Sequence, residues 1–287
     1  MYSATVIIPR YRELLRMTYT PAKTTLPEGR QRLTALIRAA GDVVSVDDAV
    51  RLLGLERPAA AKALARWTSQ GWLRRVGHGV YVPASLDSLE SEHVLQDAWV
   101  LVPVLFGPAY VGGRTAAEFW DLTEQIFNDV LVLTTKPLRS KVQRHHGVTF
   151  NLKHVNEAKI FGTKSIWRAH TKVQVSDLHR TIVDMLDDPA IGGGIQHIAD
   201  CLAAYLRHPG RDDQQLVSYA ERLGNGAIFK RLGFLVENNT TARGLAAACA
   251  ARLTAGNAKL DPALDCPYLA SRWRLWIPSF PVGSARL

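Results

Sequence analysis

Lys62 and Arg66, four residues apart in "ERPAAAKALARWTSQG", share one face of any helix built there, and Arg74 and Arg75 follow in "GWLRRVGHGVY". Cations so placed neutralise nucleic-acid phosphates, and small Ala59 and Ala63 beside the first pair let such a helix sit deep in a groove. Arg57 stands at the helix entrance and His78 at a glycine-flanked tip, so both join the candidate DNA contacts. Asp177, Arg180 and Asp184 in "VSDLHRTIVDMLDD" form a second constellation, with the residue types to hold a metal or a phosphate. Their spacing argues otherwise. Leu178, Thr181, Ile182, Met185 and Leu186 make the buried stripe of that helix, leaving the charged three as surface ion pairs, with Ser176 as the cap. "GGG" at 192–194 lacks the lysine and hydroxyl of a phosphate-binding P-loop and reads as a flexible connection. Adjacent His145 and His146 in "KVQRHHGVTF" suit a hairpin turn and point apart. No catalysis, metal or cofactor is expected.

The elements that would position the first set lie around it. "EGRQRLTALIRAAG" sets Leu33, Leu36, Ile37 and Ala40 at helical spacing, ended by Gly41. Ser45 caps a short second helix closed by Gly54, and Pro58 opens the third, which stops at Gly71. Ala61, Leu64 and Trp67 or Thr68 share its inner face. Trp72–Val76 and Val80–Val82 then make two strands around Gly77-His78-Gly79, with Leu73 and Tyr81 under the third helix and Arg74 and Arg75 along the hairpin. Three short helices and a hairpin are the layout of a winged helix-turn-helix.

Charge is uneven. The net value is +9 over 287 residues, and segment 134–180 holds ten Lys and Arg against Glu157 and Asp177, so 10 − 2 = +8. Basic fields of this kind favour polyanions. In "KSIWRAHTKVQV", Lys164, Arg168, His170 and Lys172 alternate with Trp167, Ala169, Thr171, Val173 and Val175, which predicts one strand with a basic face for a polyanionic or acidic partner. Lys136, Arg139, Lys141 and Arg144 lie just upstream. "TAAEFWDL" reads as a helix capped by Thr115, "DVLVLTT" as a buried strand and "VTFNLKH" as a strand with Val148, Phe150 and Leu152 inward. Such alternation suits antiparallel or mixed pairing. Beyond Asp177 the pattern is helical to about residue 255, and "SRWRLWIPSFP" is strand-like.

The fold class expected is therefore α+β: an N-terminal winged helix-turn-helix, then a mixed α/β C-terminal domain with a helical bundle. The expected divisions are an arm at 1–27, in which "IIPRYRELLRM" could form a helix, a DNA-binding domain at 28–86 and a second domain at 87–287. That second domain has its sheet at about 130–175 and helices at about 177–255. Separate apolar faces predict two independent folding units. With 47% hydrophobic and 21% charged residues the chain reads as globular, without a membrane span, and its three cysteines, Cys201, Cys249 and Cys266, suit a reducing cytoplasm.

The segment "RLTALIRAAGDVVSVDDAVRLLGLERPAAAKALARWTSQGWLRRVGHGVYVPA" resembles the N-terminal domain of the AbiEi family, antitoxins of type IV toxin–antitoxin systems. "AYVGGRTAAEFWDLT", "DVLVLTTK", "VSDLHRTIVDMLDDPAIGGG" and "KRLGFLVE" are similar to that family's C-terminal domain, so the resemblance spans roughly residues 28–280. It implies a repressor that binds inverted repeats in its own promoter, within a phage-defence system, and whose second domain counteracts a nucleotidyltransferase-like toxin. Two other readings stay open: a winged-helix-guided nuclease and a ligand-responsive transcriptional regulator.

Overall fold

The computed structural model describes residues 28–84 and 97–279, so the arm at 1–27 and its possible helix lie outside the described residues. The first unit runs α1 (Glu28–Ala40), β1 (Val44–Ser45), α2 (Val46–Leu53), α3 (Arg57–Ser69), β2 (Leu73–Gly77) and β3 (Val80–Pro83). Its strands form a sheet in the order β1-β3-β2. Local chemistry sets each boundary. Ser45 and Asp48 exchange side-chain and backbone hydrogen bonds in a capping box at the start of α2. Gly54 takes the left-handed conformation that ends α2 (φ 63°). Leu33, Leu36, Leu64, Trp67, Leu73 and Tyr81 are buried together, so the helices cover one face of the sheet.

The second unit holds α4 (Val102–Phe106), β4 (Ala109–Val111), α5 (Gly113–Phe119), β5 (Asp129–Thr134), β6 (Val142–His145), β7 (Val148–His154), β8 (Thr163–Arg168) and β9 (Thr171–Ser176). These strands make one mixed sheet in the order β6-β7-β5-β4-β9-β8. β5 pairs in parallel with β7 and β4 with β9, the other neighbours running antiparallel. Five helices follow: α6 (Leu178–Asp187), α7 (Ile195–Arg207), α8 (Asp213–Leu223), α9 (Gly226–Val236) and α10 (Arg243–Ala250). They bury Ile182, Ile198, Leu202, Leu216 and Leu232 among themselves as the largest core. A small sheet, β10 (Ala258–Lys259), β11 (Tyr268–Ala270) and β12 (Leu275–Ile277), closes the described chain.

The two units share a core. On the sheet face away from α3, Val76, Val80 and Val82 pack with Val43 against Val100, Leu101 and Phe106 of the second unit and join the cluster that holds Val132 and Phe150. These valines therefore pack in one cluster with residues of the second unit rather than on a separate apolar face. Polar contacts stitch the same seam. His145 Nδ1 lies 3.1 Å from the Val76 carbonyl oxygen, and the Asp42 carboxylate accepts from the His170 backbone N–H at 2.8 Å.

Three local expectations are also corrected. Asp177, not Ser176, caps α6, accepting from the Arg180 N–H at 2.8 Å, while Ser176 is buried. Thr115 lies inside α5, where its hydroxyl accepts from the Leu131 N–H at 2.9 Å. "GGG" is packed rather than loose: a Cβ on Gly192 would meet Ile198 and Met185, and Asp261 accepts from the Ile195 N–H at 3.0 Å. Among the described residues no helix is long and apolar enough to cross a membrane.

Candidate nucleic-acid interface

α3 turns Ala60, Leu64 and Trp67 inward, and Arg57, Ala59, Lys62, Ala65 and Arg66 are exposed. The inner residue is thus Ala60 rather than Ala61, and the small outward neighbour of the cations is Ala65 rather than half-buried Ala63. α3 contains no acid, so its outer face is a cationic stripe broken only by small side chains. Arg57 reaches back to Asp47 of α2 in an exposed ion pair. Such a pair is worth little in water, so Arg57 exchanges it for a phosphate at small cost.

The hairpin divides the remaining candidates. Arg75, opposite Tyr81, is exposed and donates from Nε to the Gly77 carbonyl at 3.1 Å, and His78 is exposed at the turn. Arg74 stands opposite Val82, on the side that meets the second unit, and is only half exposed. Its neighbour there is His146, which hydrogen-bonds the Arg75 backbone. Burial and the nearby Arg74 charge push the His146 pKa below its ordinary value. The structure therefore brings Arg57, Lys62, Arg66, Arg75 and His78 to the surface of the first unit and puts Arg74 at the seam.

The predicted single basic strand at 164–175 is not one strand. Ala169 (φ 49°) and His170 form a turn, so the segment is a hairpin of β8 and β9. Opposing residues share a face, so Lys164 and Arg168 lie with Ile166, Val173 and Val175, while Lys172 stands opposite Trp167 on the other face. Lys164 rests 5.1 Å from the Trp120 ring. Arg168 stacks on Trp99 at 4.6 Å and on Phe119 at 5.4 Å, and meets Asp97 at 3.6 Å. His170 reaches Asp42 across the seam, Nδ1 to carboxylate, at 3.2 Å. These four side chains do not form one face.

Nor are Asp177, Arg180 and Asp184 surface pairs. Arg180 and Asp184 are 1% and 3% exposed. Arg180 donates from Nε to Asp184 at 2.8 Å and from a terminal nitrogen to the Tyr110 hydroxyl at 3.0 Å; that hydroxyl donates to Asp184 at 2.9 Å. Phe161 lies 4.0 Å under the guanidinium. Burial raises the Asp184 pKa, against the pull of Arg180. The network ties β4 to α6 with its charges turned inward. No sequence signal marked Tyr110 and Phe161 as its partners, because both lie far from α6 along the chain. Among the described residues no cluster of His, Cys, Asp and Glu could hold a metal ion.

With this geometry, residues 31–84 match the family model described as "Transcriptional regulator, AbiEi antitoxin". The first unit is thus similar to the regulator domain of that family. The match ends at residue 84, so it covers the three helices and the hairpin and none of the second unit. The chain is similar in fold to the solved RV2827C protein from Mycobacterium tuberculosis, at 13% identity and a TM-score of 0.55, covering 87% of this chain and 91% of that one. No curated protein matches the chain.

Proposed function

We propose that the AbiEi-type domain is a winged helix-turn-helix that reads operator DNA with α3. The exposed stripe of Arg57, Lys62 and Arg66 on a helix without acids carries this reading. Small Ala59 and Ala65 let the helix approach base edges closely, and Arg75 and His78 meet the flanking phosphates. Arg74 serves the seam instead. The protein then represses its own operon by binding inverted repeats. The second unit, which we keep at residues 87–287 as a division by role, counteracts a nucleotidyltransferase-like toxin encoded alongside. This happens in the cytoplasm, without catalysis by this chain.

Gel shifts on the DNA upstream of its own gene test the first half. Lys62→Ala with Arg66→Ala should remove the preference for that DNA over random sequence. Unchanged preference would refute α3 as the reader. Co-expression with the neighbouring toxin gene tests the second half. Rescue by a chain lacking residues 97–279 would refute the role given to the second unit.

A further inference from the structure

The six-stranded sheet has a second face, turned away from the AbiEi-type domain. Over β5 it is covered by the turn Pro189–Gly192, where Ile191 packs on Leu131, Leu133 and Tyr110. Toward β7 and the start of β6 it stays open, as a cleft of about 910 Å³. That lies within the range of small-molecule sites. The cleft also borders the carboxyl end of β7, lined by Leu152, Lys153 and His154, on the edge at which open sheets receive ligands.

Its charges are arranged unevenly. On the floor, Arg114 is paired with Asp129, which also accepts from the Asn151 amide. Lys153 is paired too, with Nζ 2.9 Å from Asp188 and 3.6 Å from Asp187. At the mouth, Arg139 and Lys141 are exposed, and neither makes an ion pair among the described residues. Leu131, Leu138 and Ile191 supply apolar wall between these ends. A complementary ligand is strongly anionic at one end and flat, with hydrogen-bonding edges, at the other. An inorganic anion would use only the mouth, and an uncharged apolar molecule only the wall.

We propose that this cleft binds a nucleotide, its phosphates at Arg139 and Lys141 and its heterocycle against Leu131 and Ile191 beside Asn151. The site is separate from α3, so the inference does not rest on DNA reading. ATP is the probe, with adenosine and inorganic tripolyphosphate as its two halves, titrated by calorimetry into the full-length protein. ATP should bind at one site per chain and at least tenfold more tightly than either half. The double variant Arg139→Glu, Lys141→Glu should weaken ATP at least tenfold. Ala190→Trp, which fills the cleft without altering charge, should do the same. All three side chains are exposed, so the melting temperature should not move. Tripolyphosphate binding as well as ATP would overturn the proposal, reducing the site to surface charge. So would ATP binding that is indifferent to either variant.

Discussion

Cutting the chain at the seam should unfold the part proposed to read DNA. A fragment of residues 1–86 keeps all three helices and the hairpin but strips the cover from Val43, Val76, Val80 and Val82, which are 5%, 5%, 8% and 5% exposed in the whole chain. At about 1.5 kcal/mol for each valine returned to water, the loss approaches roughly 6 kcal/mol, an upper bound because each keeps some intradomain contact. Small domains hold on the order of 5 kcal/mol to spend. The Val76 carbonyl also loses His145, although water replaces that partner. Thermal melts followed by circular dichroism check this: the full chain should show a cooperative transition, and the fragment a broad or absent one with little operator affinity. Changing the four valines to threonine within the fragment should restore solubility, though not full stability. A wild-type fragment that melts cooperatively within a few degrees of the full chain would refute the shared core.

Other perturbations separate the seam from the reading face. Arg75→Glu should lower the salt slope of DNA binding by about one unit per lost phosphate contact, whereas Arg74→Glu should alter thermal stability more than that slope. Asp184→Ala strands Arg180 in the core and should cost about 3–5 kcal/mol by chemical denaturation, with DNA specificity unchanged in whatever fraction stays folded. His146 has a folded pKa below its unfolded value, so its contribution is present above about pH 6.5 and is lost as pH falls through that value toward the folded one. The drop in melting temperature between pH 7 and pH 5 should therefore be smaller for His146→Gln than for the wild type. An equal drop would place the acid sensitivity elsewhere.

What could be read from the sequence followed from how local its cause was. The Ser45 cap, the stop at Gly54 and the alternation of Val148, Phe150 and Leu152 are each decided within a few residues, and the structure keeps all three. The turn between β8 and β9 was hidden because Ala169 holds a positive φ that glycine or asparagine would normally signal. Without that break, two antiparallel strands counted as one, and Trp167 was placed with Val173 and Val175 although it stands on the opposite face and is exposed. Arg180 failed for another reason. Charged residues at i,i+4 on a helix are exposed as a rule, and only Tyr110, Phe161 and the Lys159 carbonyl, brought in by the fold, make burial tolerable here.

Arg74 shows the same limit at the interface. Its type and its neighbour Arg75 both suit a phosphate contact, and residue type alone does not distinguish the two. The distinction comes from the alternation of the strand. Arg75 falls with Tyr81 on the side of α3, and Arg74 with Val82 on the side that the second unit covers. A hairpin with one face on its own helices and the other on a second unit has only its edge and tip left for DNA. Under the proposed reading, recognition is then concentrated on the exposed side chains of α3. The same packing fixes α3 relative to the second unit, because the sheet beneath the helix is also a wall of that unit's core. Anything that shifts the β6–β7 turn or α4 acts on that wall directly, so packed residues connect the second unit to α3.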